Sequence, residues 1–77
     1  MEKFFITIGH DGNGQQYEVR DYPHHENDTC KFEILLDGSV VLNLEPDGKF
    51  LRTCKNPGGL DEEVIHQIIE RVEAYEL

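Results

Sequence analysis

The sequence predicts an α+β fold in which a five-stranded antiparallel β-meander carries one C-terminal helix on one of its faces. Three observations support this prediction. Apolar and polar residues alternate in short segments up to about residue 60, which is the pattern of strands with one buried face. Glycine-containing turn sequences separate these segments. Beyond residue 60 the apolar residues recur with helical spacing.

The alternating segments place strands at about residues 3–9, 15–22, 29–36, 39–45 and 49–55. Each connection is compatible with an antiparallel neighbour, so the predicted strand order follows the chain. In the first two pairings we expect Ile6 to lie opposite Val19, and Val19 opposite Phe32. The residues assigned to the core face are Phe4, Ile6, Ile8, Tyr17, Val19, Cys30, Phe32, Ile34, Val40, Leu42, Leu44, Phe50 and Cys54.

The connection between the third and fourth strands determines how they pair. A three-residue loop at 36–38, ending on a left-handed glycine, sets Phe32 opposite Leu42 and keeps the apolar residues on one face. A two-residue turn at 37–38 would instead set Glu33 opposite Leu42 and divide the apolar residues between both faces. We therefore predict the three-residue loop.

The proline-containing turn at residues 46–48 predicts a second loop of the same kind. It sets Leu44 opposite Phe50 and places Arg52 on the core face, opposite Leu42. We expect the guanidinium of Arg52 to extend past the helix to water. The alternative is a salt bridge from Arg52 to a helix glutamate or to a bound anion.

The helix is predicted over residues 61–76. Asp61 is a favoured N-cap, and Glu62 follows in the first turn, where the helix dipole favours acids. Leu60 and Ile65 have the spacing of a hydrophobic staple. The apolar stripe that would pack on the sheet comprises Val64, Ile65, Ile68, Ile69, Val72 and Tyr75.

Length and composition predict one small folded domain over residues 1–77. Leu, Ile, Val and Phe account for 22 of the 77 residues, above the level at which charged chains tend to be disordered. A chain of this size buries only about 60% of its unfolded surface, so we expect a small stability margin.

The net charge of −9 disfavours two classes of partner. Nucleic acids and anionic membranes both attract clustered basic residues, whereas the seven basic residues are scattered along the chain. No apolar run has the length of a membrane span. The N-terminal segment lacks the features of a signal peptide, so we expect a cytoplasmic protein.

The two cysteines are predicted to be free, buried thiols. In a cytoplasmic protein they would stay reduced, and no Cys-x-x-Cys spacing indicates a metal site. The predicted pairing separates Cys30 and Cys54 by roughly 16 Å between Cα atoms, which is too far for a disulfide.

Histidines occur in two of the predicted loops. His10 lies between the first and second strands, and His24 and His25 lie between the second and third. We interpret both loops as solvated polar turns. The alternative is a small metal- or ligand-binding protein that uses these loops, with His24, His25, Glu26 and Asp28 as metal ligands.

The sequence does not predict an enzyme. The glycine-rich stretch at 9–14 is followed by a strand rather than by the helix that a phosphate-binding loop needs. Ser39 is the only serine, and no histidine lies near it in the predicted fold. No carboxylate is predicted in an apolar cleft. We therefore predict no catalytic residues and no cofactor.

The concentration of acidic residues in the helical segment predicts a binding role for the protein. Residues 61–77 contain six acidic residues and one arginine, so more than half of the net charge lies on less than a quarter of the chain. An acidic helix face attracts a basic protein surface, and we expect Glu63, Glu70 and Glu73 to form that face. The alternative is that these acids only keep the protein soluble.

Self-association is also predicted. One helix is about 10–12 Å wide and covers only part of a sheet about 19 Å wide. The outer face would carry an apolar patch of Phe5, Leu35, Val41 and Leu51. We expect a homodimer through this face or through an edge strand.

Overall fold

A computed structural model describes residues 2–9, 14–22 and 30–76, except for the side chain of residue 76. The strands pair in one antiparallel sheet in the order β1-β2-β3-β4-β5. The predicted α+β meander with a C-terminal helix is confirmed. Its elements are β1 (Glu2–Ile8), β2 (Gln15–Asp21), β3 (Phe32–Leu36), β4 (Ser39–Asp47), β5 (Phe50–Lys55) and α1 (Glu62–Glu76).

The core lies between α1 and one face of the sheet, which we call the inner face. Alternation in β1 and β2 sends every second side chain to this face. The helix contributes Ile68 and Val72, both without exposed surface. The buried cluster comprises Phe4, Ile6, Ile8, Tyr17, Val19, Phe32, Ile34, Leu42, Leu44, Ile68 and Val72.

The first two pairings keep the predicted faces but shift by two residues. Val19 lies opposite Phe4, rather than Ile6, and opposite Ile34, rather than Phe32. A shift by two leaves each side chain on the same face of the sheet. The apolar pattern alone therefore cannot distinguish the observed pairing from the predicted one.

The β3–β4 connection is a two-residue turn at 37–38 rather than the predicted three-residue loop. Asp37 and Gly38 both have positive φ, 52° and 83°, as a type I′ turn requires. A β-bulge then makes Val41 an extra residue on β4, and beyond it Phe32 pairs with Leu44 rather than Leu42. The extra residue shifts the alternation of β4 by one, so the side chains that follow it point to the opposite face from the one they would otherwise take. The two-residue turn is therefore compatible with a single apolar face.

The β4–β5 pairing also differs from the prediction. Gly48 has a φ of 65° at the first position of a two-residue turn, and Leu44 pairs with Thr53 rather than Phe50. Arg52 consequently points away from the core, and the prediction of Arg52 on the core face is wrong. Its Nε donates a hydrogen bond to Glu45 Oε1 at 2.7 Å, so its partner is a strand glutamate rather than a helix glutamate.

Cys30 and Cys54 form a disulfide with a Cα–Cα distance of 6.2 Å, and the prediction of free thiols is wrong. That prediction treated both cysteines as regular strand positions. In the structure the chain bends at Lys31 before β3 begins, and Cys54 is the extra residue of a bulge in β5. Both cysteines therefore depart from a straight ladder, which brings them within disulfide range.

The start of α1 follows the sequence signals. Asp61 directly precedes the helix, and its carbonyl oxygen accepts a hydrogen bond from the N–H of Ile65 at 2.9 Å, as expected of an N-cap residue. Asn56 fixes the preceding turn, because its side chain exchanges two hydrogen bonds with the backbone of Leu60. Leu60 and Ile65 both pack against the core.

In the described part of the chain, no helix combines the length and the apolar character needed to cross a membrane.

Candidate binding surfaces

The three glutamates predicted to bind a partner do not have equivalent positions on α1. Glu63 and Glu70 are exposed, and the carboxylate of Glu70 lies 3.1 Å from Nε2 of His66 one turn earlier. Glu73 is half-buried, and its Oε2 accepts a hydrogen bond from the backbone N–H of Leu51 at 3.0 Å. Glu73 therefore joins the helix to β5, while the other two glutamates remain on the outer side of α1.

The four apolar residues predicted to form an outer patch are divided between the two faces of the sheet. Phe5 is 54% exposed and lines a shallow depression together with the buried Leu35. Val41 and Leu51 pack against the core cluster instead. Val41 is the extra residue of the β4 bulge, and the β4–β5 pairing turns Leu51 inward. The four residues therefore do not form one continuous outer patch, and Phe5 is the exposed member of the set.

An ion pair that was not predicted from the sequence lies at the end of the core. Asp21 is only 6% exposed, and its carboxylate accepts a hydrogen bond from Nζ of Lys31. The Lys31 ammonium also lies 4.7 Å from the centroid of the Phe32 ring, within cation–π range. Period-two alternation could have revealed the site, because Asp21 continues the inward series of Tyr17 and Val19.

A group of hydrogen-bonded polar side chains lies on the outer face of β2 and β3. Arg20 Nε donates to Glu18 Oε2 at 2.5 Å, and the Tyr22 hydroxyl donates to Glu33 Oε1 at 2.5 Å. The hydrogen bond to Glu33, reinforced by partial burial, raises the pKa of Tyr22 above its ordinary value. The carboxylate of Glu18 raises the pKa of Arg20. Each contact therefore favours the protonated form of its donor group.

A groove of about 680 Å³ lies along β1, beside the C-terminal half of α1. Tyr75 lies at one of its walls and is 62% exposed, although its ring stacks on Phe4 with centroids 3.8 Å apart. The groove receives side chains from the outer face of β1 and from the helix on the other face, so it lies at the edge of the strand. The described residues that line it are Phe5, Ile6, Thr7, Gly9, Gly14, Arg71, Ala74 and Tyr75.

The residues of the alternative metal site, His10, His24, His25, Glu26 and Asp28, lie outside the described residues. Within residues 2–9, 14–22 and 30–76, no group of three or more histidine, cysteine, aspartate or glutamate side chains could hold a metal ion. The metal-binding alternative stays a sequence-based hypothesis.

Comparison of this chain with protein-family models, with curated proteins and with solved structures finds no match in any of the three.

Proposed function

We propose that this protein is a small, acidic, non-enzymatic binding module whose exposed helix surface engages a basic partner protein. The observation that carries the proposal is the distribution of charge. The helical segment 61–77 has a formal charge of −5 within a total of −9, and Glu62, Glu63 and Glu70 are exposed on α1. Acids concentrated on one surface steer a positively charged partner toward it and mainly increase its association rate.

The position of Glu73 refines this binding surface. Because its carboxylate accepts the Leu51 N–H, neutralising Glu73 would alter the attachment of α1 to β5 as well as the surface charge. A test of steering therefore uses Glu63 and Glu70 only, and treats Glu73→Gln as a separate stability variant.

The test compares two variants with the same change in net charge. Glu63→Gln/Glu70→Gln removes two charges from α1, whereas Asp37→Asn/Asp47→Asn removes one from the β3–β4 turn and one from the end of β4, both at exposed positions. The probe is a basic protein recovered from native lysate on the immobilised chain, and its association rate is measured by stopped flow at several salt concentrations. Capture alone supports nothing, since acidic proteins bind many basic proteins nonspecifically.

We expect the association rate to fall steeply between low and physiological salt, because added ions screen the charges. It should fall further in the helix variant than in the turn variant, roughly threefold or more per pair of charges removed. An association rate that does not depend on salt concentration, or that falls equally in both variants, would contradict the proposal. The acidic helix would then serve solubility only.

The cytoplasmic location stays a prediction. The Cys30–Cys54 disulfide weighs against it, because disulfides persist mainly in oxidising compartments. Alkylating the protein in intact host cells, before lysis, distinguishes the two cases. Two labelled thiols would support the reducing cytoplasm, and none would support an oxidising compartment.

A further inference from the structure

We propose that two copies of this chain associate through the free edge of β1, in an antiparallel β1–β1 pairing centred on Phe5. The two sheets would join into one continuous sheet of ten strands, with both helices on the same side. This dimerisation is independent of the proposed steering by the acidic helix surface.

The two edges of the sheet differ in how well they are protected from pairing with another strand. On β5 a bulge at Cys54 interrupts the ladder, Arg52 carries a charge, and the Leu51 N–H is already bonded to Glu73. Bulges and charges are common ways to block an edge strand. On β1 the five residues 4–8, Phe-Phe-Ile-Thr-Ile, are uncharged and strongly favour a β conformation. Among the residues that the structure describes, β1 is therefore the edge less protected against pairing with another strand.

The groove along β1 lies where that strand would pair. Phe5 reaches it from the outer face of the sheet, and Tyr75 reaches it from the helix side, so the space lies in line with the sheet. Both residues are more than half exposed. An added strand would cover both rings.

The sequence of β1 favours a second copy as the occupant. The strand spans residues 2–8, and its middle residue is Phe5, so a two-fold axis through Phe5 pairs all seven residues. Phe4 then lies opposite Ile6 of the partner subunit, and the inner faces of the two sheets are continuous. The two Phe5 rings lie opposite each other on the outer face, as a cross-strand aromatic pair.

The same register brings opposite charges together. The partner's Glu2 would stand opposite Ile8, on the helix side of the sheet, close to where Arg71 lines the groove. Arg71 is exposed and has no ion-pair partner among the side chains that the structure describes. The two-fold axis repeats this Glu2–Arg71 pair on the other side of the interface. An isologous interface requires such self-complementarity.

Sedimentation equilibrium of the full chain tests the proposal. Wild type should dimerise at micromolar concentration, and Phe5→Lys should weaken the dimer by roughly 10- to 100-fold, because two ammonium groups replace the central aromatic pair. Phe50→Lys is the matched control, because Phe50 is 70% exposed at the β5 edge. It should change the dissociation constant by less than about twofold.

A charge exchange tests the register itself. Glu2→Arg or Arg71→Glu alone should weaken the dimer by roughly tenfold, since each creates two like-charge contacts, and the double variant should recover most of the loss. Hydrogen exchange supplies a second readout that does not depend on how well a variant folds. Wild-type β1 amides should gain protection as concentration rises, while β5 amides should not.

A wild-type chain that remains monomeric at high micromolar concentration would overturn the proposal. So would equal losses in Phe5→Lys and Phe50→Lys, or concentration-dependent protection of β5 in place of β1. A β1 edge that is protected only by an added extended peptide, with the chain itself monomeric, would assign the groove to a different partner and refute the homodimer.

Discussion

The backbone N–H of Gly58 donates a hydrogen bond to the carbonyl oxygen of Val41, with an N···O distance of 2.9 Å. Val41 is the extra residue of the β4 bulge, and extra residues are left outside the regular ladder. The turn that precedes α1 therefore docks on the bulge that corrects the β3–β4 register. A glycine is needed there, because a Cβ on residue 58 would lie 2.6 Å from the Val41 Cβ.

Gly58→Ala should destabilise the protein by about 1–3 kcal/mol, because the turn must move away from Val41. Gly59 is the matched control, since its φ is +62° and an added Cβ would meet nothing within 4 Å. Asparagine tolerates that conformation better than alanine, so Gly59→Asn should lose less stability than Gly59→Ala. At position 58 asparagine should cost at least as much as alanine. Urea unfolding measures all four variants, and a rescue by asparagine at position 58 would contradict the steric explanation.

Replacing Cys30 and Cys54 together by serine should lower the free energy of unfolding by about 3 kcal/mol. The disulfide spans 24 positions of sequence, and a closed loop of this size restricts the unfolded chain by about that amount. Urea unfolding of wild type with and without reductant should give a similar difference. Titration of the unreduced, unfolded chain with a thiol reagent serves as the control. It should find no free thiols, and two free thiols would contradict the observed bond.

The ion pair of Asp21 and Lys31 should respond asymmetrically to substitution. Lys31→Met leaves a buried carboxylate without its cation and should cost about 2–3 kcal/mol. Asp21→Asn should cost about 1 kcal/mol, because the Lys31 side chain is 24% exposed and its ammonium can reach water. The double variant should be more stable than Lys31→Met alone. Thermal and urea unfolding check this order. Equal losses of stability in the two single variants would contradict the conclusion that Asp21 is buried while Lys31 can reach water.

Opposite substitutions should shift the pKa of Tyr22 in opposite directions. The hydrogen bond to Glu33 raises this pKa, whereas Arg20 lowers it. Glu33→Gln should therefore lower the Tyr22 pKa, and Arg20→Gln should raise it further. Ultraviolet titration of the phenolates measures both shifts, with Tyr22→Phe identifying the signal among three tyrosines. Shifts of the same sign in both variants would refute the network.

The raised pKa of Tyr22 also predicts how stability depends on pH. Since the folded pKa exceeds the unfolded one, the hydrogen bond to Glu33 contributes fully below the unfolded tyrosine pKa of about 10. The contribution disappears as pH rises through the folded pKa. In Tyr22→Phe this part of the decrease in the free energy of unfolding at alkaline pH should be absent. Unfolding curves at several alkaline pH values would measure the difference.

The sequence by itself determined the architecture of this protein. The change of apolar period near residue 60 fixed five strands and one helix, and Asp61 marked the helix start. Periodicity is a local property, and burial of one face requires only that each segment keep its alternation. The strand order followed because short connections join antiparallel neighbours. These features depend on residues that are close together in the chain.

The tertiary structure alone decided the pairing, and with it the disulfide, the position of Arg52 and the split of the predicted patch. Apolar alternation fixes register only to within two residues. A bulge adds one residue, which allows a tight turn and a single apolar face in the same hairpin. No local sequence pattern predicts the bulges at Val41 and Cys54, because contacts with residues distant in the chain stabilise them. The carbonyl of Val41 bonds to Gly58, and Cys54 bonds to a cysteine 24 positions away.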